Sequence, residues 1–135
     1  MDKPWWHDLN RFSFGNTPTT ADELLGLVLL GVKTGTSWRA DEGEQTVVGQ
    51  RHVVLDGRRR PRAVLETIEL RRIPYMEVDA EFARDSGEGE RTLASWREDY
   101  RSSYGRQGRF SEDMEMYCER FRLIEVIEVA EDTRL

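Results

Sequence analysis

The sequence predicts an α+β fold, helices beside a mostly antiparallel sheet, and three observations predict it. A capped helical stretch stands near the start, two β-rich runs joined by an Asp56-Gly57 turn stand in the middle, and further β-rich residues end the chain. At 135 residues the chain has room for one domain with one modest core.

The elements follow in order. Residues 1–11 read as a lead-in, and Met1 to Pro18 carries Trp5, Trp6, Phe12 and Phe14 without a clear period, so an irregular segment packed by its aromatics is expected. Thr20-Ala-Asp-Glu23 matches a capping box, Leu24, Leu27, Val28 and Leu30 follow at helical spacing, and Gly31 supplies a stop. Lys33 to Trp38 is rich in hydroxyls and poor in bulk, which suits an extended segment that lines something. Arg51 to Leu55 and Pro61 to Leu70 form the hairpin. Val78 to Ala83 reads as a short helix and Leu93, Trp96, Tyr100 and Tyr104 as a longer one, around the loop Ser86-Gly-Glu-Gly-Glu90. Met114, Met116 and Cys118 alternate, and Phe121 to Val129 closes the sheet. The domain is expected over 12–129, with a tail at 130–135.

Composition excludes several classes. The net charge is −6, with 38% hydrophobic and 34% charged residues, as expected of a soluble, cytoplasmic protein. The apolar stretch Leu24 to Leu30 is broken by Gly26 and is far shorter than a membrane span, and no leader pattern opens the chain, so no membrane association is expected. Cys118 is the lone cysteine and His7 and His52 the only histidines, so no zinc site, metal or other cofactor is expected. Gly26 to Thr34 approaches a phosphate-loop pattern, but it has one residue too many before Lys33 and ends a helix instead of opening one.

Charge is segregated along the chain. Arg51 to Arg72 holds seven arginines against three acids, and Glu77 to Asp99 holds eight acids against three arginines. The basic stretch is either a solvated hairpin tip or a patch able to hold a short anionic ligand. Eighteen of the twenty cations are arginine, leaving Lys3 and Lys33. Lys33 lies between ordered-looking segments, where an amine able to lose its proton differs in kind from a guanidinium; a surface lysine without chemistry is the alternative.

A family resemblance spans about residues 12–127. Phe14-Gly15, Ala21-Asp-Glu-Leu-Leu25, Gly31-Val-Lys33-Thr-Gly-Thr36, Val53-Val-Leu-Asp56-Gly57, Pro61-Arg-Ala-Val64, Glu81-Phe82-Ala83, Gly87-Glu88-Gly89, Trp96-Arg97 and Cys118-Glu119-Arg120-Phe121 fall in the order found in the ASCH domain family, which is related to PUA domains. The resemblance implies a small, mostly antiparallel β-barrel with flanking helices and an open cleft. It also implies RNA or a nucleoside as the ligand, with no DNA partner expected. In some members it implies hydrolysis, of RNA or of acylated cytidine, by a lysine, a threonine three positions later and an acid from the loop after the short helix. Lys33 and Thr36 match the first two positions. The third falls on Ser86 or on Glu88.

As a base, Lys33 would need burial or a neighbouring cation to lower its pKa. In an extended segment Lys33 and Thr36 would face opposite ways, so their cooperation requires a bend, which Gly35 permits. Lys33 would activate Thr36 or a water, and Glu88 would shuttle the proton. The alternative is a plain Lys33–Glu88 salt bridge. A ribonuclease would pair Lys33 with an arginine. A non-catalytic reader would stack a base on Trp38 or Trp6, with Arg39 or Lys33 on phosphate and Ser86 in the lining. A small-ligand sensor is the third reading. The oligomeric state is left open.

Overall fold

The computed structural model describes residues 2–129, so the expected tail at 130–135 lies outside the described residues. The elements are β1 (Asn10–Phe12), α1 (Pro18–Leu29), β2 (Gly35–Arg39), β3 (Arg51–Leu55), β4 (Pro61–Pro74), α2 (Ala80–Ser86), α3 (Leu93–Arg106) and β5 (Glu115–Val126). The five strands make one sheet in the order β1-β3-β4-β5-β2. The contacts β3–β4, β4–β5 and β5–β2 are antiparallel, and β1 lies parallel to β3 at the edge. Irregularities in the β4–β5 register at Val64/Leu65 and Thr67/Glu69 bend the long central pair. Among the described residues the curled sheet is a half-barrel with three α-helices, in agreement with the expected α+β class.

Helix α1 starts earlier than the capping box suggests. Thr17 is the N-cap, accepting from the Thr20 amide at 3.1 Å, and Pro18 takes the first helical turn, where its missing amide costs nothing. The buried face is Ala21, Leu25 and Val28, while Leu30 is exposed beyond the helix end. The lead-in contains a strand that its sequence does not announce. Three residues are too few to display a period, and β1 exists because β3 offers it an edge.

Among the described residues the core falls into three clusters, of which the two larger flank the helices. Phe14, Leu25, Val28, Val54, Ala63, Leu65 and Phe121 pack between α1 and the sheet. Tyr75, Phe82, Trp96, Tyr104, Met116 and Cys118 pack between α2, α3 and the other end of the sheet. Strand β2 sits on the α2–α3 side and carries the segment that the sequence singles out.

Candidate functional site

The segment leading into β2 is pinned from both sides. The Thr34 amide donates to the Asp85 carbonyl at 2.7 Å, and the Phe121 amide donates to the Thr34 carbonyl at 3.0 Å. Lys33 therefore enters the interior with no exposed side-chain surface. Its ammonium donates to the Gly35 carbonyl at 2.8 Å, the Ser86 carbonyl at 3.1 Å and Glu88 Oε2 at 2.6 Å. All three protons of the charged form are thus committed. Phe14 lies against the ammonium with its ring centroid 5.4 Å away. Burial lowers the Lys33 pKa, against the opposing pull of Glu88 and Glu119.

The acidic loop supplies Glu88 through one glycine. Gly87 closes α2 with φ +75°, and a Cβ there would stand 2.7 Å from the Lys33 Cα and from the Val32 carbonyl oxygen. This close approach turns Glu88 back onto Lys33. Ser86 contributes its backbone carbonyl, and its buried hydroxyl has no hydrogen-bond partner among the described residues. Of the two loop positions, Glu88 is the one whose side chain meets the lysine.

Thr36 lies on a different side of β2. It lines an open cleft of about 670 Å³ together with Ser37, Trp38, Glu119, His52 and Arg11. Phe12, Phe14 and Phe121 supply apolar lining, and Glu42 adds a second carboxylate. Thr36 and Glu119 are directly opposed Cα partners in the β2–β5 ladder, so their side chains share one face. No hydrogen bond joins Thr36 to Lys33 or Glu88 among the described residues. Glu88 instead lines a smaller pocket of about 210 Å³ with Ser86, Trp96, Asp99 and Tyr100. Burial, helped by the charge of Glu88, raises the Asp99 pKa there.

The remaining candidates separate. Trp38 is on the cleft wall, fixed by its Nε1–H to the Gly43 carbonyl at 2.8 Å and packed beside Tyr117. Arg39 turns to Asp41 at 3.1 Å and lies outside the cleft lining. Trp6 packs against the cluster of Val53, Leu55, Val64 and Ile127 with Arg11 near its ring.

Sequence reasoning missed Glu119 as a cleft group. It was legible only as part of a strand motif, and its role depends on which residue of β2 stands opposite it. Burial raises the Glu119 pKa, opposed by the Thr67 hydroxyl and by Lys33. The sequence shows His52 only as an unclustered histidine; burial lowers its pKa.

Residues 10–125 match the ASCH domain family model. The chain belongs to the ASCH domain family. An ASCH domain from Lactobacillus crispatus is 27% identical with a TM-score of 0.77, covering 85% of this chain and 79% of that one. A protein from Enterococcus faecalis V583 is 26% identical with a TM-score of 0.75, covering 87% of this chain and 77% of that one. A variant of an ASCH protein from Zymomonas mobilis, 13% identical over 90% of this chain and 74% of that one with a TM-score of 0.56, shares the fold. No curated protein matches the sequence. The ASCH fold is PUA-like, and Lys33 and Thr36 lie on two sides of the same strand entrance.

Proposed function

We propose that this ASCH domain binds a small nucleoside-like ligand in the Thr36 cleft and hydrolyses an acyl group from it. The carrying observation is the face-sharing pair Thr36 and Glu119 on the wall of a cleft that also presents Trp38. A hydroxyl beside a carboxylate is the minimum for activating a nucleophile, and an indole wall suits a planar base. The charged residues lining the cleft are Arg11, Glu42 and Glu119, with His52 as a titratable neighbour. Two carboxylates against one guanidinium favour a neutral ligand over a polyphosphate backbone. Acylated cytidine, one of the substrates implied by the family resemblance, is neutral in this sense, whereas RNA is not.

In this reading Lys33 acts from beneath the site. It holds the Gly35 carbonyl and so the start of β2, and its charge favours an anion at Glu119. Thr36 supplies the hydroxyl facing the scissile carbonyl, or orients the water that attacks it. A second reading, ligand binding without turnover, is favoured by the full commitment of the Lys33 ammonium to three acceptors, which suits a structural staple.

The test is incubation of wild type and Thr36→Val with acylated cytidines and with short single-stranded RNA, followed by mass spectrometry of the products. Released cytidine from wild type, reduced roughly 100-fold or more in Thr36→Val, is the expected result. Cleaved RNA would replace the substrate class. Binding of the nucleoside without product would select the second reading.

A further inference from the structure

Behind Glu119 runs a chain of hydroxyls that the hydrolytic reading does not use. Thr67 Oγ1 donates to Glu119 Oε2 at 2.6 Å. Thr46 Oγ1 lies 2.7 Å from Thr67 Oγ1, and His52 Nε2 lies 3.0 Å from Thr46 Oγ1. The Val47 carbonyl, an alternative acceptor for Thr46, is 3.5 Å away. Both threonines are buried, Thr67 at 1% and Thr46 at 5% exposure. Valine would fill the same space without a polar group to satisfy, so two buried hydroxyls in single file between two titratable side chains call for an explanation. Both ends, Glu119 and His52, open onto the same cleft.

We propose that Glu119 is the proton acceptor of the cleft and that Thr67, Thr46 and His52 form the relay that empties it. The proposal rests on the hydrolytic reading for its substrate, but the relay itself is a property of the apo protein. A hydroxyl O–H in the cleft breaks, its proton goes to the Glu119 carboxylate, and the oxygen keeps the electron pair as nucleophile. With Glu119 protonated the two hydroxyls turn, so that Glu119 donates to Thr67 Oγ1, Thr67 to Thr46 Oγ1 and Thr46 to the free Nε2 of a His52 imidazole protonated at Nδ1, and one proton then moves along each bond. Glu119 returns to carboxylate with Thr67 donating to it, and His52 becomes imidazolium, which releases Nδ1–H to water in the cleft and then regains the Nδ1–H tautomer by exchange with that water before the next transfer.

The surroundings suit such a shuttle. Lys33 faces Glu119 from the entrance to β2, Arg11 comes from β1 and Glu42 from the turn after β2, and His52 itself comes from β3. Burial raises the Glu119 pKa and lowers that of His52, which brings the two proton affinities together. The closer the affinities at the two ends of a wire, the smaller the cost of moving a proton along it.

The test uses the whole chain with ¹⁵N-labelled histidine and follows the His52 ring nitrogens by NMR across pH, in wild type, Glu119→Gln, Thr67→Val and Thr46→Val. The expected wild-type ring shifts inflect twice, once for His52 and once as Glu119 titrates. The second inflection disappears in Glu119→Gln and also in each valine variant, either of which suffices if the other does not fold. An inflection that survives both valine variants arises through space and overturns the relay. In the hydrolysis assay each valine variant should lower kcat about tenfold with KM unchanged. Absence of any turnover by wild type would remove the hydrolytic reading while the His52 titration still decides the relay.

Discussion

Lys33 and Thr36 are three residues apart and live in opposite environments. The Lys33 side is closed: every proton of the ammonium is bound, and two of its three acceptors are backbone carbonyls. The Thr36 side is open: its hydroxyl faces a cleft, and the carboxylate opposite it is held by one buried hydroxyl. The contrast separates building the site from operating it. The closed side fixes where β2 begins, and the open side keeps polar capacity in reserve for a ligand.

Removing the closed side should therefore cost the most stability. Lys33→Met keeps the aliphatic volume but leaves the Gly35 and Ser86 carbonyls without their donor. An expected loss of about 3 kcal/mol follows from unpaired buried acceptors and the broken ion pair, measured by urea unfolding. A loss below about 1 kcal/mol would mean that water replaces the ammonium and that the closed side is not what holds β2.

Much of the fold was legible in the sequence, while the division between Lys33 and Thr36 was not, and the limits are physical. The helices, the Asp56-Gly57 hairpin and the closing strand carry local signals, namely apolar period, caps and turn chemistry, that survive without tertiary context. The family resemblance pointed to Lys33 and Thr36 because a short motif keeps its spacing, and it left the third position between Ser86 and Glu88. Strand β1 left no trace in three residues. The pairing of Thr36 with Glu119 is long-range register, set by β2 meeting β5 across more than half the chain, and no local pattern encodes it. Thr46 and Thr67 were invisible for the same reason: a buried threonine with a hydrogen-bond role reads like any β-former.

The next effect tests how the acidic loop is aimed. Gly87→Ala puts a Cβ against backbone atoms at 2.7 Å in a left-handed conformation, so the loop must shift and draw Glu88 off Lys33. A destabilisation of about 2 kcal/mol is expected by thermal unfolding. If Gly87→Ala is instead as stable as wild type, the αL turn is not what turns Glu88 inward. Glu88→Gln should be milder, about 1 kcal/mol, because the carboxylate is 40% exposed and water screens part of the pair. The ammonium keeps its two carbonyls, so the fold should stay intact.

On the open side the sign should reverse. Burial raises the native pKa of Glu119 above its ordinary value of 4.5. Between the ordinary and the raised value the native protein binds a proton that the unfolded chain has lost. Stability contributed by this group is thus present at low pH and declines as pH rises through that window, and the ionised carboxylate destabilises the native state above it. Glutamine has no charge to desolvate and still offers an oxygen to the Thr67 hydroxyl. Glu119→Gln should accordingly match wild type below pH 4.5, unfold at higher temperature at neutral pH, and show a flatter dependence between the two. The contribution of Lys33 runs the other way: its native pKa is lowered, so stability from that group rises with pH toward 10.5. Thermal unfolding of wild type and Glu119→Gln from pH 4 to 8 separates the two. A variant less stable than wild type at neutral pH would place Glu119 with Glu88, as a counter-ion that Lys33 needs, and the two sides of β2 would be one site instead of two.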